Sequence, residues 1–194
     1  MKKLLTAVVL TASFGAIKVN AQSLEIIPKA GISVSSQMIK DVNGEKFKVG
    51  FQGGVGFNIS TGKGGFSVQP ELNFLSKGMA IKGTGAKKEK FNLNYLEIPV
   101  LAKYSFGPVY VNAGPAIGLK LGESKAIKKE YGAIKKIDFG VQLGAGVALP
   151  AGPGKVIVDA RYALGLSNIS DVKGTEIKNR GFIASIGYAI PLGK

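Results

Sequence analysis

Val49-Gly50-Phe51-Gln52-Gly53-Gly54-Val55-Gly56-Phe57-Asn58-Ile59 alternates residue by residue: every odd position except Gly53 is apolar, every even one glycine or polar. A side-chain period of two belongs to a β-strand with one apolar face. The rhythm returns from Val109 to Leu121, from Ile137 to Leu149 and from Val156 to Leu166. The opposite face decides what the apolar one meets. It reads Gly50, Gln52, Gly54, Gly56, Asn58; then Tyr110, Asn112, Gly114, Ala116, Gly118, Lys120; then Asp138, Gly140, Gln142, Gly144, Gly146, Ala148. A face washed by water would carry Lys, Glu and Thr, because glycine is a poor strand former. A face this small suits the lumen of a narrow barrel whose apolar side faces lipid.

The start of the chain points to the same place. Met1-Lys2-Lys3 is basic, Leu4 to Ile17 is an apolar run, and Val19-Asn20-Ala21 supplies compact residues ahead of a cut before Gln22. This is the layout of a secretory signal peptide over residues 1–21, and the run is shorter than the roughly 20 residues a spanning helix needs. Residues 22–194 then form one domain. The sequence has 28 glycines and no cysteine, histidine or tryptophan. Disulfides and thiolate metal sites are therefore excluded. Glycine so far above the usual ~7% often marks disorder, but here it is interleaved in register with Val, Ile and Phe.

Period and punctuation predict strands over 25–36, 48–60, 65–76, 91–105, 108–121, 136–149, 155–167 and 180–192. Thr61-Gly62-Lys63-Gly64, Phe106-Gly107 and Pro150-Ala151-Gly152-Pro153-Gly154 are tight turns made of turn-forming residues. The other four connections are much longer, so long and short alternate. The fold class is all-β, an eight-stranded antiparallel up-and-down transmembrane β-barrel. An even strand number puts both termini in the periplasm and the long loops outside. A soluble lipocalin or β-sandwich would also alternate, but its outward face should be charged. Pro70 and Pro115 fall within strands and lack a donor, so each predicts a bulge or a missing ladder bond.

Ser67-Val68-Gln69-Pro70-Glu71-Leu72-Asn73-Phe74-Leu75-Ser76-Lys77-Gly78, followed by Tyr95-Leu96-Glu97-Ile98-Pro99-Val100-Leu101-Ala102-Lys103-Tyr104, resembles the outer-membrane β-barrel domain family abundant in Bacteroidetes, small OmpA- or OmpX-like barrels. Val109 to Leu121, Asp138 to Gly146 and Arg161 to Leu166 are similar to its later parts. The resemblance implies a fold and an outer-membrane location in a Gram-negative cell; members mostly lack an assigned activity. Ser185, Gly187, Ile190 and Leu192 resemble a barrel-assembly signal, with Gly193-Lys194 following. No peptidoglycan-binding segment follows, so no cell-wall anchoring is expected.

Parity turns Glu71 and Glu97 inward, with Arg161, Asp159 and Lys29. A lone charge at mid-lumen is costly, so pairing is expected. Arg161 should bridge to Glu71 or Glu97, with Gln52 and Gln142 completing a network that plugs the lumen. Two inward carboxylates also fit general acid–base chemistry, but sugar could not reach mid-lumen, and Ser or Thr would have no imidazole partner. Gly83-Thr84-Gly85-Ala86-Lys87-Lys88 lacks phosphate-loop spacing. The expectation is a protein that is not an enzyme, with no catalytic residue, cofactor or metal.

The formal charge of +14 falls to +11 without Lys2, Lys3 and Lys18, and the four long connections with their flanks carry +9 of it. Lys82, Lys87, Lys88 and Lys90, with Lys125, Lys128, Lys129, Lys135 and Lys136, dominate these basic extracellular loops. Nucleic acid is not an expected partner of a secreted barrel. Two readings stand: the lysines meet lipopolysaccharide phosphates, or they only keep the loops solvated. The functional expectation is a monomer with a structural or surface-interaction role, in contact with lipid, lipopolysaccharide or another envelope protein. The alternatives are a porin-like narrow pore for small solutes and an accessory subunit of an envelope or secretion complex.

Overall fold

The computed structural model describes residues 23–39, 47–62, 64–82, 88–123, 134–172 and 176–192. The proposed signal peptide lies outside them, as do Lys87, Lys125, Lys128 and Lys129. The strands are β1 (Leu24–Ile39), β2 (Lys48–Ser60), β3 (Phe66–Lys82), β4 (Lys88–Phe106), β5 (Val109–Glu123), β6 (Ile137–Ala151), β7 (Gly154–Gly165) and β8 (Ile177–Leu192). Each pairs antiparallel with the next, and β1 pairs with β8, so the sheet closes into a barrel. Closure removes every free edge, which lets a sheet satisfy its backbone inside a bilayer.

The turn expected over Pro150–Gly154 is shorter, and the one expected at Phe106-Gly107 lies one residue further on. Phe106 pairs with Val109 and Ala151 with Gly154, leaving Gly107-Pro108 and Gly152-Pro153 as two-residue loops. Gly107 and Gly152 have φ of 67° and 60°. A positive φ at the first central position, followed by proline, fits a type II′ hairpin turn, whose twist matches the flanking strands.

The faces divide as the alternation predicts. Phe51, Phe57, Phe66, Leu72, Ile98, Val111, Ile117, Leu143, Val158, Phe182 and Ile186 are exposed on the outside, whereas Gln52, Glu71, Asn73, Glu97, Asn112, Gln142, Asp159 and Arg161 are buried inside. An outer belt this apolar belongs in lipid. Near the tight turns Tyr104 stands 5.0 Å from Phe66 and 5.9 Å from Phe106, ring centre to ring centre. Towards the other end Tyr162 and Phe182 stand 5.0 Å apart.

The prolines interrupt the ladder without shifting it. Pairing skips Pro70 on its β2 side, between Gly56↔Glu71 and Ile59↔Val68. It skips Pro115 on its β4 side, between Pro99↔Ala116 and Ala102↔Ala113. A register shift does occur elsewhere, between Asn94 and Tyr95 on β4.

The long-loop ends depart most from the sequence reading. β3 runs to Lys82 and β4 begins at Lys88, so Lys82, Lys88 and Lys90 sit on paired rungs and not in a loop. The reason is that the apolar face imposes the period of two, and the period fades where a hairpin has nothing apolar to face. Lys48 and Lys77, counted with the rim charge, are buried.

Candidate functional site

The inward glycines leave room for large polar neighbours. A Cβ on Gly146 would overlap the Tyr110 hydroxyl, and one on Gly144 would crowd the Arg161 side chain and Asn112. A Cβ on Gly54 would overlap Asn73, and one on Gly187 would press on Lys29. The small face seen in sequence is thus half of a fitted pair: glycine on one strand, a bulky polar side chain on the next.

Glu71 is the centre of the lumen. Its side chain has no solvent exposure. Arg161 grips it with both terminal nitrogens, Nη1 to Oε2 at 2.8 Å and Nη2 to Oε1 at 2.9 Å. Lys29 Nζ donates to Oε2 at 2.5 Å, Gln69 Nε2 to Oε1 at 2.6 Å and Asn73 Nδ2 to Oε2 at 2.8 Å. Bidentate, charge-assisted bonds of this kind are among the strongest a side chain makes. On the far side of Arg161, Nε stands 2.5 Å from Asp159 Oδ1. Asp159 Oδ2 accepts from Tyr110 Oη at 2.8 Å and Asn112 Nδ2 at 3.0 Å.

Glu97 does not meet Arg161 directly. Gln142 joins them: its Nε2 donates to Glu97 Oε1 at 2.5 Å and its Oε1 accepts from Arg161 Nη1 at 3.4 Å. The direct cation on Glu97 is Lys77, at 2.5 Å. Lys77 also lies 3.8 Å from Asp138, which accepts from Asn179 Nδ2 at 2.8 Å and Ser167 Oγ at 3.0 Å. Gln52 is buried beside Leu75 and Gly31, with no donor on its Oε1 among the described residues.

Sequence reasoning missed Lys77 and Lys103. Lys77 lies one residue past the strand end expected at 76 and next to Gly78, although the odd-residue parity of Glu71 and Asn73 extends to it. Lys103 follows the inward parity of Glu97 two rungs beyond Leu101, and that was the available signal. Its Nζ lies 3.9 Å from the centre of the Tyr110 ring and 3.4 Å from Gln69 Oε1. Tyr110 also joins Ile27, Ile157 and Ala189 in a buried apolar cluster near the tight-turn end. At that mouth Glu25 accepts from Asn58 at 2.8 Å and from the half-exposed Lys155 at 2.7 Å.

The expected loop lysines are only partly in view. Lys135 and Lys136 are exposed. Lys135 Nζ donates to the Asn168 carbonyl at 3.1 Å, and its backbone N–H to the Ile169 carbonyl at 2.8 Å. These bonds tie the β5–β6 connection to the β7–β8 connection, and the isolated bridge Ile134↔Ser170 reinforces them.

A family model described as outer membrane protein beta-barrel domain matches residues 20–171. β8, which closes the barrel on β1, follows that match. No curated protein matches the chain. Solved structures similar to it include the attachment invasion locus protein Ail of Yersinia pestis, in complex with the heparin analogue sucrose octasulfate, at 16% identity and a TM-score of 0.49, covering 87% of this chain and 99% of that one. Neisserial surface protein A is similar at 15% identity and a TM-score of 0.49, over 84% of this chain and 95% of that one. The outer membrane protein AlkL in lipid bilayers is similar at 15% identity and a TM-score of 0.45, over 92% and 95%.

Proposed function

The chain belongs to the outer membrane protein beta-barrel domain family, and on that premise we propose that it is a non-enzymatic, monomeric barrel with a plugged lumen that acts at the cell surface through its long loops. The observation that carries the plug is the clasp on Glu71. A carboxylate with no exposed surface, gripped by Arg161 and Lys29 and flanked by Gln69 and Asn73, supports a lumen closed at that level. An eight-stranded barrel is only wide enough for its side chains to fill it. Purified protein in a planar bilayer is expected to give no steady ionic current. Steady conductance would overturn the plug and favour a narrow pore for small solutes.

With the lumen closed, chemistry with the outside falls to the loops, which this reading places on the extracellular side with both termini in the periplasm. Their excess of lysine supports lipopolysaccharide as the surface partner, since its phosphates surround the rim of such a barrel. Replacing Lys82, Lys87, Lys88 and Lys90 together with glutamate is expected to abolish lipopolysaccharide co-purification. Unchanged co-purification in a folded variant would mean that these lysines only keep the hairpin solvated.

A further inference from the structure

One seam of the outer wall differs from the rest in charge. The described side chains that point outward from the eight strands are uncharged, with two exceptions, Lys178 and Arg180 on β8. Across the β1–β8 ladder from them, on the same outward face, stand Met38, paired with Lys178, and Ser36, paired with Arg180. Ser36 is 1% exposed, and its Oγ has no hydrogen-bond partner among the described residues. Lys178 Nζ holds Glu176 Oε1 at 2.7 Å in a pair that solvent reaches; an ammonium has two further donors. A cation on the lipid face of a barrel is costly at the bilayer centre and costs little at the interface. There its long stem can carry the charge up to the head groups. Both cations stand near the long-loop end of β8, and Phe182 is the next outward residue below Arg180.

The same seam is indented further down. Its pairs run Ile26↔Ile190 and then Lys29↔Gly187, skipping Ile27 and Pro28. Pro28 has no N–H to give the ladder. An open recess of about 460 Å³ lies on the outer wall there, lined in part by Pro28, Ala30, Ile186, Gly187 and Tyr188. Tyr188 is a fixed wall: its hydroxyl donates to the Ala151 carbonyl at 2.7 Å and accepts from the Gly154 N–H at 3.1 Å. Ala30 shares a rung with Ile186, and Ala184 shares the next outward rung with Ile32, so small residues lead from the recess towards Phe182 and Arg180. Six residues separate Arg180 from Ile186, about 20 Å along a strand. At a tilt of about 35–45° that is about 15 Å of depth, half of the roughly 30 Å hydrocarbon core.

We propose that the outer face of the β1–β8 seam binds one lipopolysaccharide molecule, with a head-group phosphate on Arg180, Lys178 and the Ser36 hydroxyl and one acyl chain running down to the recess at Pro28. The site deepens the lipopolysaccharide reading and rests on it, because long loops on the outside put Arg180 in the leaflet which that lipid occupies. Arginine suits the phosphate end, since a guanidinium takes two oxygens at once. Ser36 adds a hydroxyl that no other described side chain engages. The spacing of the two ends matches a chain that leaves the head groups and stops at the bilayer centre. The recess gives that chain wall atoms on several sides, and each such contact adds dispersion attraction. A second barrel fits the seam poorly. It would have to bring an anion to Lys178 and Arg180, and the described outward faces of the strands carry none.

Native mass spectrometry of the full barrel in detergent micelles tests this, with bisphosphorylated lipid A, dephosphorylated lipid A and phosphatidylglycerol as probes. The unaltered barrel should retain one bisphosphorylated lipid A. Lys178→Gln with Arg180→Gln should weaken that binding about tenfold or more, the loss expected from removing charge-assisted hydrogen bonds. The same pair should leave binding of dephosphorylated lipid A unchanged. Ala30→Phe, which fills the recess from the lipid side, should weaken both lipids severalfold, whereas Ala160→Phe on the outward face of β7 should weaken neither. Gel mobility establishes that each variant is folded. Unchanged lipid A affinity in the folded Lys178→Gln, Arg180→Gln barrel would overturn the site, as would phosphatidylglycerol binding as tightly as lipid A. The seam and the wider reading fail separately. If charge reversal at Lys82, Lys87, Lys88 and Lys90 abolishes lipopolysaccharide co-purification while the seam variants bind normally, the seam alone falls. If the unaltered barrel retains no lipid A, both fall.

Discussion

Glu71→Ala is expected to destabilise the barrel by about 3–5 kcal/mol, the usual cost of removing one partner from a buried ion pair. The loss falls on the groups left behind. Arg161 and Lys29 are as buried as the carboxylate they hold, with side chains 3% and 4% exposed. Without Glu71, Arg161 keeps Asp159, while Lys29 loses the carboxylate it touches. Glu25→Ala provides the contrast. Its partner Lys155 has a side chain 46% exposed, where solvent screening holds such pairs to about 1 kcal/mol or less. Urea unfolding in lipid vesicles, followed by the gel-mobility difference between folded and unfolded forms, compares the two. Equal losses would mean that the clasp contributes nothing beyond a surface pair. Replacing Glu71, Lys29 and Arg161 together with apolar residues of similar volume, with Asp159→Asn to remove the charge Arg161 holds, should recover much of the loss, because none of the four buried charges is then left unpaired.

The two carboxylates at mid-lumen, Glu71 and Glu97, could be read from the sequence because the lipid imposes the period. Leu72 and Ile98 must face outward, so Glu71 and Glu97 must face inward. Which cation meets which anion was not legible. That depends on register between neighbouring strands and on reach across the lumen, and neither leaves a trace in a single strand. Arg161 meets Glu71 directly and Glu97 only through Gln142.

The continuation of the β3–β4 ladder was hidden for a different reason. Ser76-Lys77-Gly78 has the composition of a turn, and the lysines beyond it suggest a solvated loop. The hairpin nevertheless continues through those residues. Lys77 shows how far parity could have been carried: it is odd-numbered like Glu71 and Asn73, and it is buried like them. The prolines were a fairer test. Each removes a ladder donor, as the missing N–H requires, but the register passes through Pro70 and Pro115 without a shift. The shift opposite Asn94 has no proline to announce it; the extra residue is Leu121 on β5, beside Gly122.

The inward glycines are not interchangeable, and Gly146 should be the least replaceable of them. A Cβ there would overlap the Tyr110 hydroxyl and press on the Val158 carbonyl. Tyr110 has nowhere to retreat: its hydroxyl is held by Asp159 at 2.8 Å, its ring lies under the Lys103 ammonium at 3.9 Å, and Ile27, Ile157 and Ala189 pack around it. Overpacking a filled core costs about 1–3 kcal/mol and occasionally more. Gly146→Ala is expected at the top of that range, and Gly146→Val should not yield a folded barrel. Gly56 is the control, since a Cβ there would stand 3.4 Å from Glu71 Cγ, an ordinary contact. Gly56→Ala should be neutral, or stabilising by up to about 1 kcal/mol through the unfolded chain. The cost at Gly146 should also shrink when Tyr110→Leu removes the obstructing ring, a coupling of roughly 0.5–3 kcal/mol in a double-mutant cycle. If Gly146→Ala costs the same in both backgrounds, the glycine serves its own strand and not the tyrosine opposite. If the two are coupled, glycine in this lumen is the space one strand leaves for its neighbour's side chain.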